Sequence, residues 1–204
     1  MKGPIYFIIV LFSLIFLSCS QQKQNATNTL PNSNEYAEGF SIVAHNNYKE
    51  VIVYSPWVKG SVYARYYLVT DNATETPEDG RKVKIPLQTL AATSVTHFEF
   101  LSLLGEIESI NAVCSPDIIY NPVIIKRVNE GKISNLGDAF NINIEKTLQL
   151  QPGAVMMSGY NQNDPYAQRV SQSGIPVLFN NEWMETSLLG RAEWIKFVAA
   201  FYNK

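Results

Sequence analysis

The residues of this sequence best suited to chemistry are a cysteine and a histidine, Cys114 and His97, each of which follows a predicted strand. If two parallel strands end side by side, the pair could act as a nucleophile and its base, although any α/β sheet that contains a cysteine offers this coincidence. The chain has only two histidines, too few to fill a zinc site alone. It contains no G-x-S-x-G, Walker A, H-E-x-x-H or paired C-x-x-C pattern. The sequence therefore predicts neither an enzyme nor a bound cofactor.

The first elements that could position these residues are strands. From Phe40 to about Val69 the segments FSIVAH, EVIVYSPW and SVYARYYLV have the alternation typical of strands and are separated by turn residues. They predict a small antiparallel β meander. The polar stretch TDNATETPEDGRK that follows is predicted to be a loop.

From Ile85 onward, short apolar runs alternate with helix signals. Each predicted helix has a start and a stop: a capping box at Thr96 to Glu99 or an asparagine or aspartate before the helix, and a glycine after it. The predicted strands cover residues 87–92, 109–113, 154–157 and 175–179, and the helices between them begin at Thr96, Asn121, Asn143 and Asp164. Four strand-then-helix units predict an α/β fold, with a parallel sheet flanked by helices on both faces.

Sequence motifs within residues 141–179 resemble those of a known protein family. Asn143-Ile144-Glu145 opens a helix, Pro152-Gly153 ends it before the strand AVMM, and Gly174-Ile175-Pro176-Val177 precedes the next strand. This segment resembles the periplasmic binding proteins that deliver iron-siderophore, haem and cobalamin complexes to ABC transporters. The resemblance covers roughly residues 85–204 and implies one lobe of a two-lobed binding protein, with the ligand held between the lobes by loops at the carboxyl ends of the strands.

The resemblance implies ligand contacts in the first two of these loops. Backbone N–H groups and hydroxyls at Ser94 and Thr96 could hold an anionic or oxygen-rich chelate, and His97 could ligate haem iron. The alternatives are that Thr96 only caps the helix and that His97 is a solvated polar residue. In the second loop the family often has an aromatic residue where Cys114 and Ser115 stand; Tyr120 could replace it or pack against the following helix.

The later loops each bring one aromatic side chain to the same edge of the predicted sheet. These are Phe140, Tyr160 and Trp183. Aromatic faces around a cleft suit a corrin, porphyrin or catecholate ligand through stacking and burial, although each ring could also be packing at the rim.

The same resemblance implies a partner for Glu145. In the family, a glutamate at this place of the motif lies on the outer surface of the lobe and pairs with arginines of the permease. An exposed ion pair of that kind contributes orientation and encounter rate more than affinity. The alternative is a first-turn acid stabilised by the helix dipole.

The N-terminus predicts export and lipidation. One basic residue, Lys2, precedes an apolar run that is too short to span a membrane and is typical of a signal peptide over residues 1–18. Phe16-Leu17-Ser18-Cys19 resembles a lipobox, with Phe16 in place of the usual leucine, and implies acylation of Cys19; the alternative is an ordinary signal peptide with an incidental cysteine. Residues 19–38 are polar and predict a flexible tether. No acidic run follows Cys19, which favours the periplasmic face of a bacterial membrane.

Composition limits the partners and the crosslinks. The net charge is −2, without a block of like charges, so nucleic acid is not an expected partner. With Cys19 acylated, Cys114 is the remaining thiol and no internal disulfide can form. The expected partners are a metal chelate (ferric siderophore, haem or cobalamin), an ABC permease and the membrane that holds the lipid.

The expected domain order places the β meander at residues 39–84, the α/β lobe at 85–186 and the start of an inter-lobe helix at 187–204, with the second lobe absent. That helix is predicted to run from Thr186 to the end without a stop and to present a broad unpaired apolar face that includes Leu188, Leu189, Trp194 and Phe201. An unpaired face of this size leaves a second interpretation open. In it the chain is a membrane-tethered adaptor lipoprotein that binds a protein instead of a chelate.

Overall fold

The first part of the fold is a four-stranded sheet. The protein is described by a computed structural model, which covers residues 34–204; the predicted signal peptide, Cys19 and most of the tether lie outside the described residues. The strands are β1 (Phe40–Ala44), β2 (Lys49–Tyr54), β3 (Val62–Val69) and β4 (Arg81–Lys84). The strands β1, β2 and β3 pair antiparallel, as predicted for a meander. The predicted loop includes Arg81 and Lys82, but these two residues belong to β4, which pairs parallel with β3; the sheet is therefore mixed.

The second part is a parallel sheet with the order β11-β10-β5-β6-β7. Its strands are β5 (Leu90–Ala92), β6 (Ile110–Val113), β7 (Ser134–Asn135), β10 (Ala154–Met157) and β11 (Val177–Phe179). In register, Val155 of β10 lies between Ala91 of β5 and Val177 of β11. Between β7 and β10 a two-stranded hairpin forms from β8 (Gly137–Asp138) and β9 (Asn141–Ile142). The predicted α/β sheet is confirmed, with β7 as an additional edge strand.

Within residues 34–204, six short α-helices connect and cover this sheet. They are α1 (His97–Leu103), α2 (Pro122–Asn129), α3 (Ile144–Leu150), α4 (Pro165–Gln172), α5 (Leu188–Glu193) and α6 (Ile195–Phe201). The predicted starts of α2, α3 and α4 are confirmed, because Asn121, Asn143 and Asp164 each accept hydrogen bonds from backbone N–H groups of the first helical turn. Gly131, with φ of 72°, ends the α2 segment in the left-handed conformation that glycine permits. None of the helices in the described residues is both long enough and apolar enough to cross a bilayer.

Side chains alternate between two cores, one on each face of the parallel sheet. Leu90 and Met156 face a larger core that also contains Phe98 of α1 and Phe201 of α6. Ala91, Val155 and Val177 face a smaller core, which includes Val170 of α4. This alternation places helices on both faces, as expected for strands that are buried on each side.

The C-terminal segment departs from the predicted continuous helix. It consists of two helices, α5 and α6, that meet at Trp194, and its predicted apolar face is buried instead of unpaired. The ring of Trp194 lies 4.8 Å from that of Phe40, and the ring of Phe201 lies 5.6 Å from that of Tyr66. The mixed sheet thus covers the apolar helix face that was predicted to be unpaired. Among the predicted apolar residues, Leu188 and Leu189 stay exposed.

Two carboxylates attach the N-terminal segment to these helices. Glu193 accepts hydrogen bonds from the backbone N–H groups of residues 35, 36 and 37, at 2.7 to 3.1 Å. Glu185 accepts from the N–H groups of Glu38 and Gly39 and from the indole N–H of Trp194. We call this arrangement the N-terminal clamp. It fixes the point at which residues 19–38, the predicted tether, meet the folded domain.

The N-terminal clamp is expected to weaken in acid. Burial opposes ionisation of Glu193, but the Lys196 ammonium and the three backbone N–H groups lower the pKa of Glu193 to about 2. Because the folded pKa lies below the usual value of about 4.3, the stabilisation is full above that value and is lost as the pH falls from about 4.5 towards 2.

We therefore expect Glu193→Gln to lower the free energy of unfolding by about 1 to 3 kcal/mol at pH 7, and to have little effect near pH 2. Urea denaturation of both proteins across this range measures the difference. Glu75→Gln, at an exposed position in the β3–β4 loop, is the matched control. An equal loss of stability at both pH values would contradict the role assigned to the Glu193 carboxylate.

Candidate functional site

The parallel strands end at one edge of the sheet, and five loops lie there. They comprise residues 93–97, 114–121, 136–140, 158–164 and 180–187, and we call them the edge loops. In open α/β sheets this is the edge at which ligands bind. The predicted ligand residues all belong to these loops.

Three aromatic side chains from three edge loops meet in a row that we call the aromatic cluster. The ring centroids of Phe140 and Tyr160 are 5.1 Å apart, and those of Tyr160 and Trp183 are 5.9 Å apart. Their exposed fractions are 80%, 43% and 39%, respectively. The structure thus brings together the three rings that the sequence placed at a common edge.

Backbone contacts hold the aromatic cluster in place. Asp138 accepts a hydrogen bond from the N–H of Phe140 at 2.8 Å, which shapes the tip of the β8–β9 hairpin. Asn181 accepts from the N–H of Gly159 at 2.7 Å, so the loop that carries Tyr160 is tied to the loop that carries Trp183. A Cβ at Gly159 would lie 3.0 Å from the Tyr63 ring and 3.1 Å from Asn181, which explains why glycine precedes Tyr160.

The predicted capping box at the start of α1 is wrong. Thr96 has helical dihedral angles and makes no side-chain capping hydrogen bond. The chain already turns at Ser94 and Val95, because their carbonyls accept hydrogen bonds from the backbone N–H groups of His97 and Phe98. The Thr96 hydroxyl lies 3.0 Å from the Ser94 hydroxyl. Both hydroxyls therefore stay at the surface of the first edge loop, where they remain candidates for ligand contact.

His97 is buried, which corrects the expectation of a solvated residue. It is 0% exposed because it occupies the inward face of α1 together with Phe98 and Leu101. Its Nε2 lies 3.7 Å from Oε2 of the buried Glu182, longer than a hydrogen bond, and neither ring nitrogen has a hydrogen-bond partner among residues 34–204. Burial opposes ionisation of Glu182, but the neighbouring histidine lowers the pKa of that carboxyl below its usual range. Both side chains are buried, so neither lies at the exposed surface of the edge loops.

In the second edge loop, the candidate ligand residue Tyr120 is exposed, Ser115 is half-buried and Cys114 is buried. Tyr120 is 90% exposed, so it does not pack against the following helix. Ser115 adopts a left-handed conformation, and its hydroxyl accepts from the N–H of Ala139 at 3.2 Å, which joins this loop to the β8–β9 hairpin. Cys114 is buried, and burial together with the Asp138 charge raises the pKa of its thiol to about 12. A protonated, shielded thiol is a poor nucleophile.

Two concave surfaces border the aromatic cluster. A hollow of about 400 Å³ is lined by Trp57, Tyr160 and residues 161–163. A larger groove of about 560 Å³ runs between β3 and α4 and is lined in part by Tyr63, Arg81, Gln168 and Phe179. We assign the site to the aromatic cluster, although the groove has more volume, because large exposed aromatic side chains are costly unless something covers them. Arg65 and Arg81 beside the groove already bind Glu50 and the Gly174 carbonyl.

Several residues of this region were not identified from the sequence. Trp57, assigned to the end of a strand, lies in the β2–β3 turn, and its ring is 5.1 Å from that of Tyr63. Asn181 joins two edge loops. The signal that could have shown it is the pair Asn180-Asn181 directly after a buried strand. Within residues 34–204, no three His, Cys, Asp or Glu side chains gather in a way that could hold a metal ion.

Comparisons with known proteins give relatives without an assigned function. No protein-family model matches the sequence. The uncharacterized lipoprotein MJ0872 of Methanocaldococcus jannaschii is 26% identical over 193 residues, which is 90% of this chain and 47% of the relative. The uncharacterized lipoprotein MJ0878 of the same organism is 35% identical over 81 residues, 40% of this chain and 20% of the relative. The chain thus spans less than half the length of these curated relatives.

Solved structures with a similar fold are named as binding proteins. The petrobactin-binding protein YclQ from Bacillus subtilis has a TM-score of 0.46 and 10% identity, over 60% of this chain and 41% of that chain. The triscatecholate siderophore-binding protein FeuA from Bacillus subtilis, complexed with ferri-bacillibactin, has a TM-score of 0.41 and 19% identity, over 62% of this chain and 46% of that chain. Likeness at this level does not identify a ligand.

Proposed function

We propose that this chain is the lipid-anchored substrate-binding component of an ABC importer for an iron-siderophore or a related metal chelate. The observation that supports it most is the aromatic cluster, in which Phe140, Tyr160 and Trp183 stay exposed at the carboxyl edge of a parallel sheet. Aromatic side chains of this kind bury on the order of 150 to 250 Å² each when they are covered. A chelate with broad apolar faces would supply that cover.

In this proposal the ligand contacts are divided between exposed and supporting residues. Phe140, Tyr160, Trp183 and Tyr120 contact the apolar faces of the chelate, and Ser94 and Thr96 offer hydroxyls to its oxygen atoms. His97 and Ser115 are placed behind this surface and support the loops. A second lobe supplies the facing side of the cleft, since one sheet edge alone covers about half of a ligand of this size.

The membrane anchor in this proposal is Cys19, at the extracytoplasmic face. The printed names of the two relatives described above include the word lipoprotein, and the alignment with one of them extends over 193 residues. The N-terminal clamp supports the same arrangement, because it would hold the domain at a fixed point beside the tether.

Glu145 is proposed to dock the permease. Its side chain is exposed in the first turn of α3, and Lys146 follows it at the surface. Because an exposed carboxylate acts mainly on orientation and encounter rate, Glu145→Lys is expected to weaken permease association several-fold while leaving chelate affinity unchanged. Co-purification with the permease and a chelate titration measure the two effects. Lys146→Glu, a charge reversal next to it, is the control for non-specific charge effects; equal loss of both activities in Glu145→Lys would reject the docking role.

A second candidate function is a membrane-tethered adaptor that binds a protein. The sequence supports it through a predicted unpaired apolar helix face, but the mixed sheet covers that face in the structure. What still favours it is the exposure of Leu188 and Leu189, at 83% and 57%, on the outer side of α5. The two candidates predict different surfaces, α5 for the adaptor and the aromatic cluster for the chelate carrier.

A screen of haem, cobalamin and ferric siderophores by tryptophan fluorescence tests the proposal. Trp183 is 39% exposed and Trp57 lines the hollow beside Tyr160, whereas Trp194 is fully buried, so a ligand at the aromatic cluster should quench Trp183 and Trp57 and spare Trp194. We expect saturable quenching by at least one chelate, and a smaller quenching amplitude in Trp183→Phe. If none of these chelates binds saturably to a protein that also contains the second lobe, the adaptor function is favoured instead.

A further inference from the structure

The edge loops carry acidic side chains and no basic ones apart from the buried His97. Asp117 and Asp138 are exposed and Asp164 is half-buried, whereas neither lysine nor arginine occurs in these five loops, all of which lie within the described residues. Glu182 and Glu185 add carboxylates beneath the surface. Lys59, in the β2–β3 turn, lines a separate hollow together with Glu38 and Glu185. Apart from His97, all the side chains of the edge loops that are charged near neutral pH are therefore carboxylates.

Side-chain caps occupy part of the backbone N–H groups that usually bind anions at this edge. In the first turn of α2, Asn121 accepts from two N–H groups, at 3.1 and 3.4 Å, and Asn143 and Asp164 each accept from one in α3 and α4, at 2.8 and 2.9 Å. The start of α1 has no such cap, but His97 there lies beside the Glu182 carboxylate. A multiply charged anion would therefore compete with these caps and meet the repelling charges of the aspartates.

The groups that do remain free suit a different ligand. Aromatic faces carry partial negative charge and attract cations. Asn161, Gln162 and Asn163 border the hollow beside Tyr160 and make no side-chain hydrogen bonds among the described residues, so their amides can donate to or accept from neutral oxygen and nitrogen atoms. Recognition at this edge would thus combine contact of the aromatic faces with apolar or cationic parts of a ligand and amide hydrogen bonds, without an ion pair to an anion.

We propose, building on the proposed function, that the chelate bound at the aromatic cluster is uncharged or cationic. Iron(III) held by three hydroxamates fits this chemistry, because each hydroxamate neutralises one charge of the metal. Iron(III) held by three catecholates carries three negative charges and does not. Asp117, Asp138 and Asp164 are the side chains that set the preference.

The preference is tested by comparing two iron(III) complexes of similar size and opposite charge. The probes are the singly positive trihydroxamate ferrioxamine B and the triply negative tris-catecholate ferric enterobactin, titrated into the full-length protein at low and high salt. We expect the cationic complex to bind at least tenfold more tightly at low salt, and the ratio to shrink as salt screens the carboxylates.

Matched variants assign the effect to the three aspartates. In Asp117→Asn, Asp138→Asn and Asp164→Asn the amide oxygen can still accept the backbone hydrogen bonds made by Asp138 and Asp164. The triple variant should lose most of the charge preference, and Glu75→Gln should keep it. Tighter binding of the tris-catecholate, or a ratio unchanged in the triple variant, would overturn the inference while leaving a chelate-binding role intact. Binding of neither these complexes nor the other chelates of the screen would overturn the proposed function, and the charge preference with it.

Discussion

The double substitution Phe140→Ala and Trp183→Ala is expected to lower chelate affinity by at least a hundredfold. Phe140 is 80% exposed and Trp183 is 39% exposed, and the two rings flank Tyr160. In binding sites a few aromatic anchors carry most of the energy, and truncation of one such anchor costs about 2 kcal/mol or more. Two anchors together therefore correspond to a loss of at least two orders of magnitude in Kd.

The same double variant should fold normally. Exposed side chains contribute little to folding, so we expect the free energy of unfolding to change by less than about 1 kcal/mol. Leu103→Ala is the matched control, since Leu103 is 75% exposed on α1 and lies outside the edge loops. Isothermal titration with the best ligand of the screen measures affinity, and urea denaturation measures stability. Unchanged affinity in the double variant would remove the aromatic cluster from the site.

The largest expected effect on stability comes from Trp194→Ala. Trp194 is 0% exposed at the junction of α5 and α6, with its ring 4.8 Å from Phe40 and 5.1 Å from Phe197. Its indole N–H donates to Glu185 at 2.9 Å, which links the core to the N-terminal clamp. Removal of a buried tryptophan leaves a cavity and takes away one of the three hydrogen bonds that Oε1 of Glu185 accepts, so we expect a loss of about 3 to 5 kcal/mol.

Two controls separate the parts of this effect. Trp194→Phe keeps most of the ring packing and removes the hydrogen bond to Glu185, and it should cost about 1 to 3 kcal/mol. Leu188→Ala, at a position that is 83% exposed on the neighbouring helix, should change stability by less than about 0.5 kcal/mol. Chemical denaturation of the three variants gives the comparison. A cost of Trp194→Ala similar to that of Leu188→Ala would contradict the packing described for the mixed sheet and α6.

Local patterns were sufficient to predict the parallel half of the fold. The starts of α2, α3 and α4 each rest on one side chain, Asn121, Asn143 or Asp164, that caps its own helix, and such contacts lie within three residues of each other. Long-range pairing was not predictable in the same way. The strand β4 consists of Arg81, Lys82, Val83 and Lys84, whose charges are typical of a loop, and it becomes a strand because β3 offers an open edge.

The break in the C-terminal helix has a similar cause. Residues 188–201 have continuous helical periodicity, so the sequence predicts one helix. In the structure the helix ends and restarts at Trp194, where the ring packs between Phe40 and Phe197 and Glu185 accepts from its indole N–H. Phe40 comes from the distant strand β1, and this tertiary packing overrides the local preference.

The aromatic cluster was predictable because strand order does not affect which edge the loops share. Every loop that follows a strand of a parallel sheet begins at the carboxyl edge of that sheet. Phe140, Tyr160 and Trp183 each lie in such a loop. The orientation of His97 was not predictable, because its burial depends on which face of α1 meets the sheet. The inward position follows from Phe98 and Leu101, which turn with it into the core.

The central claim is that ligand binds at the aromatic cluster, and oxidative footprinting by mass spectrometry tests it most directly. The full-length protein is oxidised with hydroxyl radicals with and without the best chelate of the screen, and the modification of each aromatic residue is compared. We predict protection of Phe140, Tyr160 and Trp183, while Tyr36, 45% exposed beside the N-terminal clamp, stays equally reactive. Protection confined to the groove residues Tyr63 and Phe179, with the aromatic cluster unchanged, would contradict the assignment of the site.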